Sequence, residues 1–241
     1  MLEGLYSAAA GMTAQQQRID TLANDVANVN TTGYKHTRVA FRDLLYTQDR
    51  TGVVSSGAGA AATPVGRGFA QGALRETGNK LDVAIEGDGF LQVRRADGTT
   101  ALTRDGALRL DRTGRLSTQR GELLQPAITV PAGTNESDVR IAQDGTVSAG
   151  DRAIGRIQLV TVRAPQALQS AGDSLFVATA ASGPAQALPA GRVVQGALES
   201  SNVDIADAMT QMMESQRSFQ MASKAVQMQD QILQIANQVK A

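Results

Sequence analysis

The chain has 241 residues, 42% of them hydrophobic, which is enough for one large domain or two modest ones with a real core. Lys plus Arg (23) equals Asp plus Glu (23), so the formal charge is zero and no basic field exists to hold nucleic acid or an anionic membrane. The absence of cysteine excludes disulfides, thiolate catalysis and cysteine metal sites, and no apolar run approaches the roughly 18 to 20 residues of a membrane span.

The first residues carry no positive charge before Arg18 and no apolar block ahead of a cleavage site, so an ordinary signal peptide is not expected. From Leu2 to Val29 an apolar stripe repeats every seventh residue at Leu5, Met12, Ile19 and Val26, with Ala8, Gln15, Leu22 and Val29 three positions later. These are the a and d positions of a heptad, and they predict a helix with a seam. Asn30-Thr31-Thr32-Gly33 supplies residues that end it.

The stretch from Asp49 to Gly72 is rich in Gly, Ala and Ser, buries little, and is expected to be an extended arm, mobile when alone. Val39, Phe41, Leu44, Leu45 and Tyr46 just before it fit an extended arm or a short helix anchored by aromatics, which would gain order on binding a neighbour. The period then changes to two. Leu81, Val83 and Ile85 alternate with Asp82, Ala84 and Glu86, and short apolar runs recur at Phe90 to Val93, Thr100 to Leu102, Ala107 to Leu110 and Arg115 to Ser117. Asp88-Gly89, Asp97-Gly98, Asp105-Gly106 and Thr113-Gly114 punctuate them, as a β-meander requires. Further strands are expected at Ala127 to Val130, Val139 to Ala142, Gly145 to Ser148, Arg156 to Val162 and Ser174 to Ala178.

The last forty residues return to heptads. Ile205, Met212, Phe219, Val226 and Leu233 lie seven apart, with small residues Ala208, Ser215, Ala222 and Ala236 following. Ser201 and Asp204 resemble a capping box. Met221, Met228 and Ile235 lie outside this seam, so the helix is apolar on a second face that its N-terminal counterpart does not need.

The expected fold is therefore α+β. Residues 1–35 and 191–241 form paired, coiled-coil-like helices, 36–70 an extended Gly/Ala-rich arm or linker, and 71–190 a mainly antiparallel β domain. Candidate interface residues between subunits are Leu5, Met12, Ile19, Leu22, Val26, Ile205, Met212, Phe219, Val226, Leu233, Met221, Met228 and Ile235. Contact between unlike faces of this kind propagates into a ring, helix or tube.

Chemical motifs are sparse. His36 is the single histidine, which excludes multi-histidine metal sites and HExxH, and no Ser lies in a GxSxG elbow. Gly66, Gly68 and Gly72 miss the spacing of a phosphate cradle. Glu86 and Asp88 flank Gly87, but Asp88-Gly89 is a turn and Glu86 falls on the solvent side of its strand. No catalytic residue, cofactor or metal is expected.

Three blocks also resemble a known family. Leu5-Tyr6-Ser7-Ala8-Ala9-Ala10-Gly11-Met12 with Leu22-Ala23-Asn24-Asp25-Val26-Ala27-Asn28-Val29-Asn30-Thr31-Thr32-Gly33-Tyr34-Lys35, then Asp82-Val83-Ala84-Ile85-Glu86-Gly87-Asp88-Gly89-Phe90, then Leu198-Glu199-Ser200-Ser201-Asn202-Val203-Asp204 look like the signatures of the bacterial flagellar rod and hook proteins. Phe41-Arg42-Asp43-Leu44-Leu45-Tyr46 and Gln125-Pro126-Ala127-Ile128 follow the distal-rod pattern. The segment Thr51 to Gly72 is shorter and more Ala-rich than that pattern, which keeps a proximal-rod relative or another paralogue open.

The resemblance implies a structural subunit of the basal body outside the inner membrane. It would be exported unfolded by the flagellar type III apparatus and polymerise with itself and other rod and hook proteins into a helical, torque-bearing tube, with rod-surrounding ring proteins as further candidate partners. From other classes, a hydrolase with a helical dimerisation clasp and an adhesive or carbohydrate-binding β module remain as alternatives.

Overall fold

A computed structural model describes residues 2–44, 46–48, 55–57, 59–131 and 133–240; residues 2–4, 46–48, 55–57, 233, 236, 237, 239 and 240 are described by their backbone alone. The fold is α+β, with a helix near each end of the chain and a mainly antiparallel β region between. Two compact units emerge. A terminal unit comprises residues 1–27, 37–65 and 204–241, and a β unit comprises 28–36 and 66–203.

In the terminal unit, helix α1 runs Leu2–Ala27 and helix α2 runs Ile205–Lys240, and the two pack against each other. Their lengths correspond to about 40 and 55 Å. Asp204 caps α2, its Oδ1 accepting from the Ala206 and Asp207 amides at 2.8 and 3.2 Å. The expected box with Ser201 is not formed; the Ser201 hydroxyl accepts from the Val203 amide at 3.3 Å instead.

Part of the expected arm is a two-stranded ribbon, with strand Thr37–Asp43 beside Ala60–Arg67 and Tyr46–Gln48 paired to Ser55–Gly57. Residues Leu45, 49–54 and Ala58 of that expected arm lie outside the described residues. The ribbon is held to α1. Buried Asp25 accepts from the Thr37 amide at 3.2 and 3.3 Å, and the Arg18 guanidinium lies 5.7 Å from the centre of the Phe41 ring. At Gly59, with φ +100, a Cβ would meet the Cβ of Ala10 at 2.9 Å, so only glycine lets the ribbon approach the helix.

The β unit is centred on strand Phe90–Arg94, which pairs antiparallel with Thr100–Thr103, Leu123–Gln125 and Leu159–Thr161. Leu116–Thr118 and Leu108–Leu110 continue the sheet on one side, Leu175–Val177 and Gln169–Gly172 on the other. Val139–Ile141, Thr146–Ala149 and Arg152–Arg156 form a separate three-stranded sheet.

Alternation along Phe90–Arg94 serves two cores. Leu91 and Val93 join Leu81, Val83, Leu116 and Leu124 in the larger one, while Phe90 meets Phe69 and Phe176 edge-on at 5.3 and 6.2 Å between ring centres in the smaller.

Two sequence expectations fail locally. Ala127 to Val130 is no strand; it touches the sheet through a single bridge, Arg115 to Thr129, although Ile128 is buried. Asp82 and Ala84, on the polar phase of their strand, are buried too, because Arg192–Gln195 pairs along Val83–Glu86 and Asp82 accepts from Thr77 and Asn79 at 2.6 and 3.0 Å. Strand Ala197–Glu199 pairs likewise with Leu74–Glu76.

Leu124 is fully enclosed. Leu124→Ala should lower the stability of the β unit by about 2–5 kcal/mol, read from the urea midpoint. A loss under about 0.5 kcal/mol would mean that the site collapses or is not core.

Candidate assembly surface and buried polar hub

Within the terminal unit the helices run antiparallel. Arg18 donates to Gln211 Oε1 at 3.3 Å, while Ala9, Met12, Thr13, Gln16 and Gln17 line a shallow groove together with Phe219, so rising numbers on α1 meet falling numbers on α2. Besides Asp25, the buried helix positions are Ala14, Ala208 and Ser215, small residues that let the helices approach. Ala14 is not on the heptad read from the sequence.

The candidate interface residues fall into two groups. Leu5, Met12, Ile19, Leu22 and Val26 of α1 and Met212, Phe219 and Val226 of α2 are half-buried. Ile205, Met221, Met228 and Ile235 are exposed by 48%, 65%, 58% and 61%. The Leu233 side chain lies outside the described residues.

The register accounts for part of this exposure. If residue 18 faces residue 211, equal helical rise carries residue 2 to about residue 227. Later turns of α2 therefore have no described residue of α1 opposite them. Ile232 and Ile235 stand on those turns, and Met228 at their start.

The β unit contains a group of buried charges that has no local signature in the sequence. Glu199 is 1% exposed, Lys35 is fully buried and Arg104 is 2% exposed. Lys35 Nζ donates to Glu199 Oε1 at 2.6 Å and to the Ala70 carbonyl at 2.7 Å, and Arg104 Nη1 donates to Glu199 Oε2 at 3.2 Å. The Gly72 amide adds a bond to Oε1 at 2.8 Å, and the Arg104 guanidinium lies 5.3 Å from the centre of the Phe90 ring. Burial and then the Arg104 charge pull the Lys35 ammonium down, the Glu199 carboxylate pulls it up, and the net direction is below the usual lysine value.

Asn202 supplements the hub, donating to the Gly68 and Ala70 carbonyls at 2.7 and 3.0 Å and accepting from the His36 amide at 2.9 Å. His36 is thus built into a backbone crossing. Gly33, with φ +64, passes so close that a Cβ would meet the Asp105 amide nitrogen at 2.5 Å. Among the described residues no group of His, Asp and Glu side chains is arranged to hold a metal. Glu86 is exposed.

Family models match in three places: "Flagella basal body rod protein" over residues 5–35, "Flagellar hook protein FlgE/F/G D1 domain" over 84–149 and "Flagellar basal body rod FlgEFG protein C-terminal" over 194–239. The flagellar basal-body rod protein FlgG of Borreliella burgdorferi is 39% identical over 100% of this chain and 99% of its own length. The chain belongs to the flagellar basal-body rod protein family. FlgG of Caulobacter vibrioides is 36% identical over the full length of both chains, and FlgF of Escherichia coli is 36% identical over 99% of this chain and 98% of its own. As a rod-family protein, the chain is a structural component of the flagellum. Each of the three family segments includes one hub residue: Lys35 in the first, Arg104 in the middle one and Glu199 in the last.

Asp105 gives this region a pH dependence. It accepts from the Thr32 hydroxyl at 2.8 Å and from the Ala107 amide at 3.2 Å, yet burial, reinforced by Asp82, lifts its carboxyl above the ordinary 3.8 against those bonds and Arg120. The native state then binds this proton more tightly than the unfolded chain does. Its contribution to stability is complete below 3.8 and is lost as pH rises through the native value. Asp105→Asn, which keeps an acceptor oxygen, should remove that downward component from a urea-stability profile taken from below 3.8 to neutrality. Parallel profiles for the two proteins would refute the assignment.

Proposed function

We propose that this protein is a distal-rod subunit that polymerises into a helical tube through its terminal helices, and that the tube carries torque from the motor to the hook. The observation that supports this best is the exposed row Met221, Met228, Ile232 and Ile235 on a helix already packed against α1 on another face. Covering each such side chain contributes about 1.5–3 kcal/mol, so a sister copy that buries them gains substantially at every contact. Leu5, Met12, Ile19, Leu22, Val26, Met212, Phe219 and Val226 form the coiled-coil-like seam, and Ile205, Met221, Met228 and Ile235 form the contact with neighbours. Met suits contacts of this kind, because an unbranched thioether adapts to surfaces that are not identical.

On this reading the chain has no catalytic role. It leaves the cytoplasm unfolded through the type III apparatus, joins other rod and hook proteins, meets the surrounding rings, and lies in the periplasm where an outer membrane exists. The Phe41 to Tyr46 and Gln125 to Ile128 blocks favour the distal segment, and the 36% identity to a FlgF favours the proximal one as the second reading. Electron microscopy of basal bodies carrying a tagged copy separates the two by the position of the label.

Met221→Asp and Met228→Asp each place a charge on the exposed face without touching the seam. Each variant should be secreted at the wild-type level, while the number of completed rods falls at least tenfold and motility is lost. Rods of normal number and length in both variants would refute the assembly face.

A further inference from the structure

We infer that Glu199 is a latch on which closure of the whole β unit depends, so that this unit cannot settle until residues 192–203 have arrived. The sequence separations carry the argument. Glu199 is 164 residues from Lys35 and 95 from Arg104, and among the described residues both cations have their only ion pairs with it. Until Glu199 is in place, folding the meander and the 28–36 segment together buries two positive charges with no carboxylate between them, which a protein interior strongly disfavours.

The backbone points the same way. Arg192–Gln195 covers the edge of Val83–Glu86, Ala197–Glu199 covers that of Leu74–Glu76, and the Gly33 amide donates to the Glu199 carbonyl at 2.9 Å. The Ser200 amide donates to Ala73 at 2.9 Å, and Asn202 then fastens 36, 68 and 70 together. Segments 28–36 and 82–110 thus each leave buried polar groups unmatched, and 66–73 lacks its backbone partners, until the last strands of the unit dock.

A chain delivered N-terminus first would in consequence stay open until nearly all of it had emerged. That consequence rests on the export reading above; the latch itself does not, and it is measured on the free subunit, away from export and assembly.

The test is refolding of the dilute full-length chain from urea, with pulsed hydrogen exchange read by mass spectrometry. Amides of Phe90–Arg94 and Leu116–Thr118 should gain protection in the same kinetic phase as those of Gly33, Gly72 and Ser200. A meander protected in an earlier phase, before the hub amides, would overturn the proposal. Native-state exchange of full-length Glu199→Gln and Glu199→Ala supplies the second reading. Exchange in the distant strands should rise with that at the hub, roughly a hundredfold or more for the alanine variant, with complete loss of protection as the extreme of the same result. Acceleration confined to Gly33, Gly72 and Ser200 would reduce Glu199 to a local contact. Assembly failing in the Met221 and Met228 variants while refolding remains one concerted phase would leave the latch standing, and the reverse pattern would remove it alone.

Discussion

A carboxylate buried in protein must be matched, and Glu199 is matched by two cations and a backbone amide drawn from far apart in the chain. This one group constrains much of the β unit. Its Lys35 partner brings the segment after α1 against the sheet, its Arg104 partner lies at the end of the second meander strand, and its own strand closes an edge. An apolar residue of similar size would bury comfortably at any of several registers, whereas a charge with fixed bond directions tolerates only one. Buried ion pairs add little net stability against a hydrophobic alternative, and their value here lies in that selectivity. The extra positive charge of the trio is eased by the Phe90 ring face under Arg104 and by the carbonyl of Ala70.

The terminal unit follows the opposite logic. Its helices are joined by small residues and half-buried apolar ones, and its polar bonds are mostly short-range: the hydroxyls of Thr13, Thr21, Thr210 and Ser215 donate one turn back, to the carbonyls of Ala9, Gln17, Ala206 and Gln211. Contacts of that kind hold a helix together without specifying what lies beside it. Specification falls to the apolar rows, which are non-directional and can be shared among several neighbours. A surface suited to repeated, nearly equivalent contacts should have this character, and a single enclosed core should not.

Legibility in the sequence divides along the same line. The helices could be read because a period of seven is a local signal, sustained over about four turns or more. The meander could be read because Asp-Gly and related glycine turns mark its reversals, and the structure shows how three turns are held: Asp97, Asp111 and Asp144 accept from the hydroxyl and amide of the threonine two residues on, and those bonds hold their carboxyls below the usual range. Strands Leu123–Gln125, Arg192–Gln195 and Ala197–Glu199 are too short to display a period, so only their partners define them. The hub was illegible for a related reason. Lys35, Arg104 and Glu199 are ordinary surface residues by composition, and nothing within ten positions of any of them says that it is buried. Ala14 was missed because alanine carries almost no hydrophobic signal, although its small size is what a close helix approach requires.

These two kinds of specification suit a subunit that is to be one thing alone and another in company. The described buried ion pairs, bonds with direction, lie within the β unit, where each partner comes from the same chain and is met before any neighbour. Surface without direction is displayed by the helices, and there the single chain leaves the match unfinished. Exchange the two and the result fails on physical grounds. Directional buried charges at a contact between copies would have to be desolvated anew at each addition, at a cost of several kcal/mol per ion, and any slip in register would leave one unpaired. Apolar rows can be covered gradually as a neighbour settles, so an imperfect first contact still gains free energy and can slide toward a better one.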